Sequence, residues 1–279
     1  MEQTNFKTYP EYKNALIMRA RRSGIFLDLD EPKTIQDKIN WMKLYDSTPL
    51  KTKCADKVLL HEYCKEKVGQ DLCVPILFVY DRVEDIEWDK LPNQFVIKCN
   101  HGSGMNIIVK DKNNFNKEDV IKKLNYYIHD DFAFRVGYEM HYHDIQHKVF
   151  VEQYMEDENQ KDSLFDYKFW CFNGEPKFYT INDGIGHGDI IYYTMDDKII
   201  DPYNLYNPRK NYKKPENFQD MVSYSKKLSE DFKFVRVDFY EVSGRLYLGE
   251  LTFTPGAGFF KYRKTEYNKI FGDMLDLGI

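Results

Sequence analysis

The 279-residue chain is long enough to form one large domain or two smaller lobes with a substantial hydrophobic core. Hydrophobic residues make up 42% of it and charged residues 30%, a balance typical of a folded globular protein and not of a disordered one. Its net charge of −5 comes from 40 basic and 45 acidic residues that are interleaved along the chain. This excludes the long basic block typical of nucleic-acid binding, so we expect no nucleic-acid partner.

The N-terminal residues are polar, and the longest apolar stretch, residues 73–80, is too short to cross a bilayer. We therefore expect neither a secretory signal nor a membrane-spanning segment. The five cysteines are irregularly spaced and include no Cys-x-x-Cys pair. That pattern favours reduced thiols in the cytoplasm and argues against a zinc site.

Helical and β-type patterns are mixed in the first half of the chain, and β-type patterns dominate the second half. Apolar residues at helical spacing predict helices over 10–22, 34–45, 56–68 and 117–128. Two strands are predicted over 74–80 and 149–155, and the later strands over 166–172, 176–181, 189–195, 234–240 and 246–253. This order predicts an α+β fold and not a doubly wound parallel sheet.

A glycine loop between two β-type runs is the first candidate for chemistry. Lys98 lies in the first run, Gly102, Ser103 and Gly104 form the loop, and the second run follows directly. Glycines let successive backbone N–H groups point to one site, and a lysine beside such a loop suits phosphate. Because the lysine precedes the glycines and the loop joins two strands, the pattern predicts a hairpin flap over phosphate and not a P-loop. The alternative is an ordinary hairpin with a glycine-rich turn.

Two carboxylates are predicted to face each other across a second hairpin near the C-terminus. With a three-residue loop at Ser243-Gly244-Arg245, Asp238 lies opposite Glu250, and Arg236 lies opposite Thr252. Opposed carboxylates repel each other, and a hard divalent cation such as Mg²⁺ would relieve the repulsion. The alternatives are a solvated face, or neutralisation of one acid by Arg236. A register shift of one residue would remove the argument for a metal.

These features together resemble those of an ATP-grasp enzyme, and more specifically the TupA-like ATP-grasp family of cell-surface polysaccharide biosynthesis. The segments that carry the resemblance are Pro32–Tyr45, Ala55–Lys57, Leu91–Asn106, Phe150–Met155, Asp166–Gly174, Val235–Phe239 and Gly249–Gly258. The resemblance implies an ATP-grasp fold, in which two α+β lobes clasp ATP, with a short N-terminal helical extension. We expect the extension over 1–50, the first lobe with the flap over 51–150, and the second lobe with the metal site and an acceptor insert over 151–279.

The resemblance also assigns residues that handle the nucleotide. Lys57 and Lys98 match the two lysines that contact the phosphates of ATP in this family. Gly102, Ser103 and Gly104 match the loop that closes over those phosphates.

Further roles follow from the same resemblance. Glu152, Gln153, Tyr154 and Met155 match the hinge between the lobes, where the adenine is read. Lys168 matches a basic residue near the γ-phosphate or the acyl phosphate.

Asp238 and Glu250 match the metal carboxylates, which implies one or two Mg²⁺ ions. The chain departs from many ATP-grasp enzymes in carrying Thr252 where they carry asparagine, and a hydroxyl is a poorer magnesium ligand. Arg236, on the same face, is counted with Lys98 and Lys168 among the candidate catalytic residues.

The activity implied is an ADP-forming carboxylate–amine ligase that works through an acyl phosphate. Its expected substrates are ATP, a uronic-acid-containing sugar and a small amine, and its expected place is capsular or other surface-polysaccharide biosynthesis. We expect a cytoplasmic protein that associates with other enzymes of polysaccharide assembly. The alternatives are an ATP-grasp-type kinase or glycosyltransferase-like enzyme acting on a glycan, and a non-catalytic nucleotide-binding scaffold.

The stretch between Lys168 and Arg236 matches no general nucleotide motif, and it contains two loops with residues suited to an acceptor. Loop 182–188 contains three glycines and His187, and turn 207–210 presents Arg209. Since functional residues concentrate on loops, we predict that these two residues belong to the acceptor wall. The alternative is a solvated excursion of the chain.

Overall fold

The structure, a computed structural model, describes residues 7–157, 164–182, 190–205, 212 and 214–279. His187 and Arg209 lie outside the described residues, so the predicted acceptor wall stays a prediction. No helix within the described ranges is long and apolar enough to cross a membrane.

Eight α-helices and ten strands lie in the described part of the chain. The helices are α1 (Lys13–Arg22), α2 (Ile35–Tyr45), α3 (Pro49–Ala55), α4 (Leu60–Val68), α5 (Lys117–Ile128), α6 (Phe132–Arg135), α7 (Phe218–Ser229) and α8 (Glu266–Asp273). The strands are β1 (Ile76–Tyr80), β2 (Phe95–Cys99), β3 (Asn106–Val109), β4 (Val149–Gln153), β5 (Asp166–Phe172), β6 (Glu175–Asn182), β7 (Ile190–Thr194), β8 (Ile199–Ile200), β9 (Phe234–Val242) and β10 (Arg245–Thr252).

The strands form two sheets, one of four strands in the order β1-β4-β2-β3 and one of six in the order β10-β9-β5-β6-β7-β8. All the strand pairs within these two sheets are antiparallel. The prediction of an α+β fold without a doubly wound parallel sheet is therefore confirmed. The β2–β3 hairpin carries the glycine loop, and the β9–β10 hairpin forms one edge of the larger sheet.

The β9–β10 hairpin has the predicted pairs but not the predicted turn. Asp238 lies opposite Glu250 and Arg236 opposite Thr252, as expected from the sequence. The three-residue loop was wrong, because the register shifts by one residue between Leu248 and Glu250.

The turn itself has two residues, since Val242 pairs with Arg245. Ser243 and Gly244 have φ angles of +50° and +76°, as a tight hairpin turn with two left-handed residues requires. Gly249 is the extra residue that forms a β-bulge and restores the pairing of the two carboxylates. A Cβ at Gly249 would lie 2.7 Å from the ring of Tyr240, so any other residue there would force the ring or the strand to shift.

The opposite face of this hairpin belongs to the hydrophobic core, as predicted. Its apolar side chains are at most 3% exposed: Val235, Val237, Phe239, Leu251 and Phe253. They hold the hairpin rigidly against the helices, so the polar face is presented in a fixed geometry.

The N-terminal helices pack on the C-terminal end of the chain. The Lys38 ammonium donates to the carbonyl oxygens of Gly272 (2.8 Å), in the last turn of α8, and Leu275 (2.6 Å), just after it. The Gln36 amide donates to the Phe260 carbonyl at 3.1 Å. The predicted division at residues 50 and 150 stays a prediction.

Two predicted helices begin later than the pattern suggested. The helix predicted over 10–22 opens with a short 3-10 turn, Pro10–Tyr12, and α1 follows it. The helix predicted over 56–68 begins at Leu60, because the Asp56 carboxylate accepts from the N–H groups of Val58 (2.8 Å) and Leu59 (3.3 Å). Such a side-chain turn competes with helical hydrogen bonding.

Candidate functional site

A cleft of about 150 Å³ lies between the β2–β3 hairpin, the residues just before α4 and the β9–β10 hairpin. Six of the residues singled out in the sequence line it: Lys57, Lys98, Gly102, Ser103, Gly104 and Glu250. They come from segments that are far apart in the sequence, so the fold brings the two predicted motifs into one site.

Lys57 connects the start of α4 to the glycine loop. Its backbone N–H donates to the Asn100 carbonyl at 3.3 Å, and its ammonium donates to the Gly102 carbonyl at 2.6 Å. Burial lowers the pKa of the Lys57 ammonium, and the nearby charge of Glu250 only partly offsets this. The loop is therefore held down by a cation that any entering anion would attract.

Lys98 forms an ion pair with Glu152. Glu152 lies opposite Val96, two residues from Lys98 on the same face of β2, so the two charged side chains are diagonal neighbours across β2 and β4. Glu152 is 8% exposed, and such a buried carboxylate needs a charged partner.

Arg236 lies between the two opposed carboxylates. Its guanidinium donates to both oxygens of Asp238 at 2.7 and 2.6 Å, to Glu250 Oε1 at 3.4 Å and to Thr252 Oγ1 at 3.1 Å. Asp238 is 2% exposed, and a bidentate guanidinium is the strongest single partner a buried carboxylate can have. Neutralisation by Arg236, weighed above as an alternative, is thus present in the structure.

Lys168 adds a second cation from the neighbouring strand β5, where it pairs in register with Asp238. Its ammonium lies 3.0 Å from Asp238 Oδ2 and 3.1 Å from Asp166 Oδ2. Burial alone would lower the pKa of Lys168, but the charge of Asp238, with help from Asp166, raises it above its ordinary value. Burial raises the pKa of Asp166, and the charge of Lys168 only partly offsets this.

Glu250 is the carboxylate that reaches the cleft. Burial alone would raise the pKa of Glu250, but the charges of Lys57, Arg236 and Lys168 outweigh it and lower the pKa to about 2. These three cations therefore favour the ionised form of the Glu250 carboxylate.

The carboxylate oxygens of Asp238 and Glu250 suit a hard divalent cation, but some of them already accept hydrogen bonds from the protein. Both oxygens of Asp238 accept from Arg236, and Oδ2 also accepts from Lys168. Glu250 Oε1 accepts from the Thr252 hydroxyl at 2.8 Å, whereas Oε2 accepts from no residue that the structure describes. Carboxylate oxygens with free lone pairs are the ligands Mg²⁺ prefers, so Glu250 fits the ion best and Asp238 fits it once Arg236 is displaced.

The predicted hinge residues after Glu152 do not line this cleft. The Gln153 N–H donates to the Pro75 carbonyl at 3.0 Å, and Tyr154 is half-buried beyond the end of β4. Met155 packs beside Val74 in a small apolar cluster. Only Glu152 is linked to the cleft, through Lys98.

Tyr240 and Asp166 belong to the site and were not singled out in the sequence. Tyr240 lines the cleft, and its hydroxyl donates to the Asp166 carboxylate. The same carboxylate lies 3.1 Å from the Lys168 ammonium. Tyr240 follows Arg236 and Asp238 at alternate positions on β9, so the two-residue period that placed those residues could have found it.

The chain is similar to proteins of one family over most of its length. The sequence profile described as TupA-like ATP-grasp matches residues 37–276. Among the curated proteins, none matches the chain.

Similar solved structures include D-alanine–D-alanine ligase from Bacillus anthracis complexed with ATP, at 17% identity and a TM-score of 0.43, covering 80% of this chain and 63% of that one. D-alanine–D-alanine ligase from Helicobacter pylori is 15% identical with a TM-score of 0.45, covering 81% and 59%. L-amino acid ligase from Bacillus licheniformis is 12% identical with a TM-score of 0.42, covering 74% and 41%. This chain thus spans less than two thirds of the length of each of these three structures.

Proposed function

Because this chain belongs to the TupA-like ATP-grasp family, we propose that it is an ATP-dependent carboxylate–amine ligase. In the proposed reaction, the terminal phosphoryl group of ATP passes to a carboxylate of a uronic-acid-type sugar, giving ADP and an acyl phosphate. A small amine then attacks the acyl carbon and expels phosphate, which leaves an amide. The product belongs to capsular or other surface-polysaccharide biosynthesis, and the enzyme works in the cytoplasm with other enzymes of polysaccharide assembly.

The observation that carries the proposal is the meeting of two lysines, a glycine loop and a charged carboxylate in one cleft. Lys57 and Lys98 bring positive charge from two segments, and Gly102–Gly104 offers backbone donors. This combination suits a polyphosphate, whose negative charge needs several cations and donors at once. Glu250 on the facing wall supplies the negative charge that would share a cation with the phosphates.

Both lysines already donate to protein oxygens that phosphate oxygens would replace. Lys57 would leave the Gly102 carbonyl, and Lys98 would leave Glu152. The cleft of about 150 Å³ is smaller than the roughly 300–1,000 Å³ typical of small-molecule sites, so the β2–β3 hairpin has to lift for nucleotide to enter. Its closure afterwards would exclude water, which an acyl phosphate does not survive.

Asp238, Glu250 and Thr252 would hold Mg²⁺, which supplies charge neutralisation of the phosphates when it is bound. Lys168 and Arg236 fix the positions of these carboxylates, since each donates to Asp238. Lys168 and Arg236 would be free to donate to the transferred phosphoryl group if the Asp238 carboxylate held the ion instead of their side chains. Lys168 and Arg236 would thus neutralise the Asp238 carboxylate in the empty site and the phosphoryl group in the filled one.

The test is ADP release by the purified protein with sets of candidate uronates and small amines. We expect turnover only when ATP, a uronate and an amine are all present, and a product lighter than its two precursors by one water. Glu250→Gln should abolish turnover, because the amide lacks the charge that shares the cation, whereas Glu66→Gln on the exposed face of α4 should not.

Two outcomes would overturn the assignment. Turnover without any amine, with a product heavier by HPO₃, would identify a kinase-type reaction. Tight ATP binding with no turnover on any glycan acceptor from cell extracts would identify a nucleotide-binding scaffold.

A further inference from the structure

Four side chains suited to a soft metal come together away from the nucleotide cleft, where α4 ends and the chain turns back towards the larger sheet. His61, Cys64, Asp71 and Cys73 contribute two sulfur atoms, one ring nitrogen and one carboxylate. None of the four lines the nucleotide cleft.

The donor atoms are close to one another. The ligand atoms of His61, Asp71 and Cys73 all lie within 4.8 Å of each other, and His61 Nδ1 lies 2.8 Å from Asp71 Oδ2. The Cys64 thiol lies beside this group, since its sulfur accepts from the N–H of Leu72, between Asp71 and Cys73, at 3.4 Å. Donor atoms around a tetrahedral zinc ion lie roughly 3.3–3.8 Å apart, as its bond lengths of about 2.0–2.3 Å require. The atoms of His61, Asp71 and Cys73 would need only small shifts to reach this spacing, and a rotation of the Cys64 side chain would bring in the fourth donor.

The local sequence explains why these residues meet. His61 and Cys64 are three residues apart on α4 and therefore share one face of the helix. Gly69, with a φ of +86°, ends α4 in a left-handed conformation and reverses the chain. Asp71 and Cys73, two residues apart in the extended segment that follows, then point back towards that face.

The segment after the turn is anchored to the strand that carries Glu250. The Leu72 carbonyl accepts from the Leu248 N–H at 2.8 Å, and Cys73 forms a β-bridge with Leu248. The Asp71 carboxylate accepts from the Cys73 N–H at 3.0 Å. The backbone of residues 71–73 is thus held in place beside β10.

We propose that His61, Cys64, Asp71 and Cys73 bind one Zn²⁺ ion. The mixture of thiolate, imidazole and carboxylate is the set zinc takes in proteins, and the two sulfur atoms exclude a hard ion such as Mg²⁺. Cys64 is fully buried and Cys73 is 8% exposed, whereas the Asp71 side chain is 44% exposed, so the ion enters past Asp71. Both thiols lose their protons on binding, and the filled site carries a net charge of −1.

The ion would tie α4 to residues 71–73, which are hydrogen-bonded to β10. Lys57 precedes α4 and Glu250 lies on β10. The proposed site would therefore link the two parts of the chain that carry these cleft residues. The absence of a Cys-x-x-Cys pair led us to expect no zinc, yet the turn at Gly69 creates the grouping that such a pair usually provides.

The experiment is a titration of the full-length, reduced, chelator-treated protein with Zn²⁺ and, separately, with Co²⁺. We expect one zinc ion per chain, held through a competing chromophoric chelator, and a cobalt complex with a thiolate charge-transfer band and a tetrahedral absorption spectrum. Cys73→Ser and Cys64→Ser should lose the charge-transfer band or weaken it by half. Cys171→Ala, which removes a buried thiol elsewhere in the fold, should change neither result.

Asp71→Asn provides a variant that is expected to fold normally, because this side chain is the most exposed of the four. It should weaken zinc binding by at least the roughly 10–100-fold that loss of an outer-shell partner costs, and keep the cobalt spectrum thiolate-rich. The proposal is overturned if the wild-type protein binds no stoichiometric zinc at micromolar concentration, or if its cobalt complex lacks a thiolate band. It is also overturned if Cys64 and Cys73 are isolated as a disulfide and the reduced protein still binds no metal.

Discussion

Glu250→Gln should lower stability at neutral pH and lose this effect in acid. The folded protein holds the pKa of Glu250 at about 2, against an ordinary value of 4.5. A lowered pKa adds stability that is present above pH 4.5 and disappears as the pH falls towards 2. A difference of about 2.5 units corresponds to an upper limit of roughly 3.4 kcal/mol. The side chain is 35% exposed, so screening by solvent reduces the expected loss to about 1–2 kcal/mol.

The assay is urea unfolding of the wild type and the variant at a series of pH values from neutral to about pH 3. The difference in unfolding free energy should be greatest at neutral pH and shrink steadily below pH 4.5. Glu66→Gln, on the exposed face of α4, should show a difference close to zero throughout. A constant difference for Glu250→Gln at every pH would show that the three cations around Glu250 do not set its charge state.

Lys98→Ala should weaken ATP binding by at least about tenfold in equilibrium binding measurements, because it removes a positive charge from a closed, poorly hydrated cleft. Lys110→Ala, at the exposed far end of the same hairpin, is the matched control, and equal effects of the two changes would refute a specific role for Lys98. Gly272→Ala should destabilise the fold by about 3 kcal/mol or more in urea unfolding. Its new Cβ would lie 2.3 Å from the Lys33 carbonyl oxygen, a backbone atom that cannot rotate away. Gly278→Ala, where nothing lies within 4 Å, should cost about 1 kcal/mol through its left-handed φ alone, and a similar cost at both positions would contradict the clash.

Strand periodicity was the most reliable signal in the sequence. The alternation along β9 and β10 separated the core face from the polar face, and it placed Asp238 opposite Glu250. The turn was predicted wrongly, because the sequence does not say whether an extra residue sits in the turn or in a bulge. Contacts with the ring of Tyr240 decide that, and they exist only in the folded hairpin.

Short or late helices were missed although some carried recognisable signals. In α3, Thr48 caps the first turn and Pro49 occupies the first position, but seven residues are too few for periodicity to stand out. In α7, Phe218, Met221 and Leu228 follow helical spacing. This helix was missed because β-type patterns dominate the second half of the chain. Local patterns compete with one another, and tertiary packing decides between them.

The sequence predicted residues of the candidate site but not the contacts between them. Residue types at suitable spacing were enough to select Lys98 and Glu250, whereas Lys57 was selected by the resemblance to the ATP-grasp family. The partners in the folded state could not be derived, because the contact of Lys57 with the Gly102 carbonyl joins segments 45 positions apart. Such pairings depend on how the two sheets pack, which no local pattern encodes.

The bulge at Gly249 divides the β9–β10 hairpin into two parts that pair in different registers. Between the bulge and the turn, residues pair in one register, and beyond it they pair in the register that joins Asp238 to Glu250. A three-residue turn without a bulge would give the same pairing beyond it with the same chain length. Evolution can therefore move the extra residue between the turn and the bulge, and reshape the exposed tip of the hairpin, while the two carboxylates keep their positions.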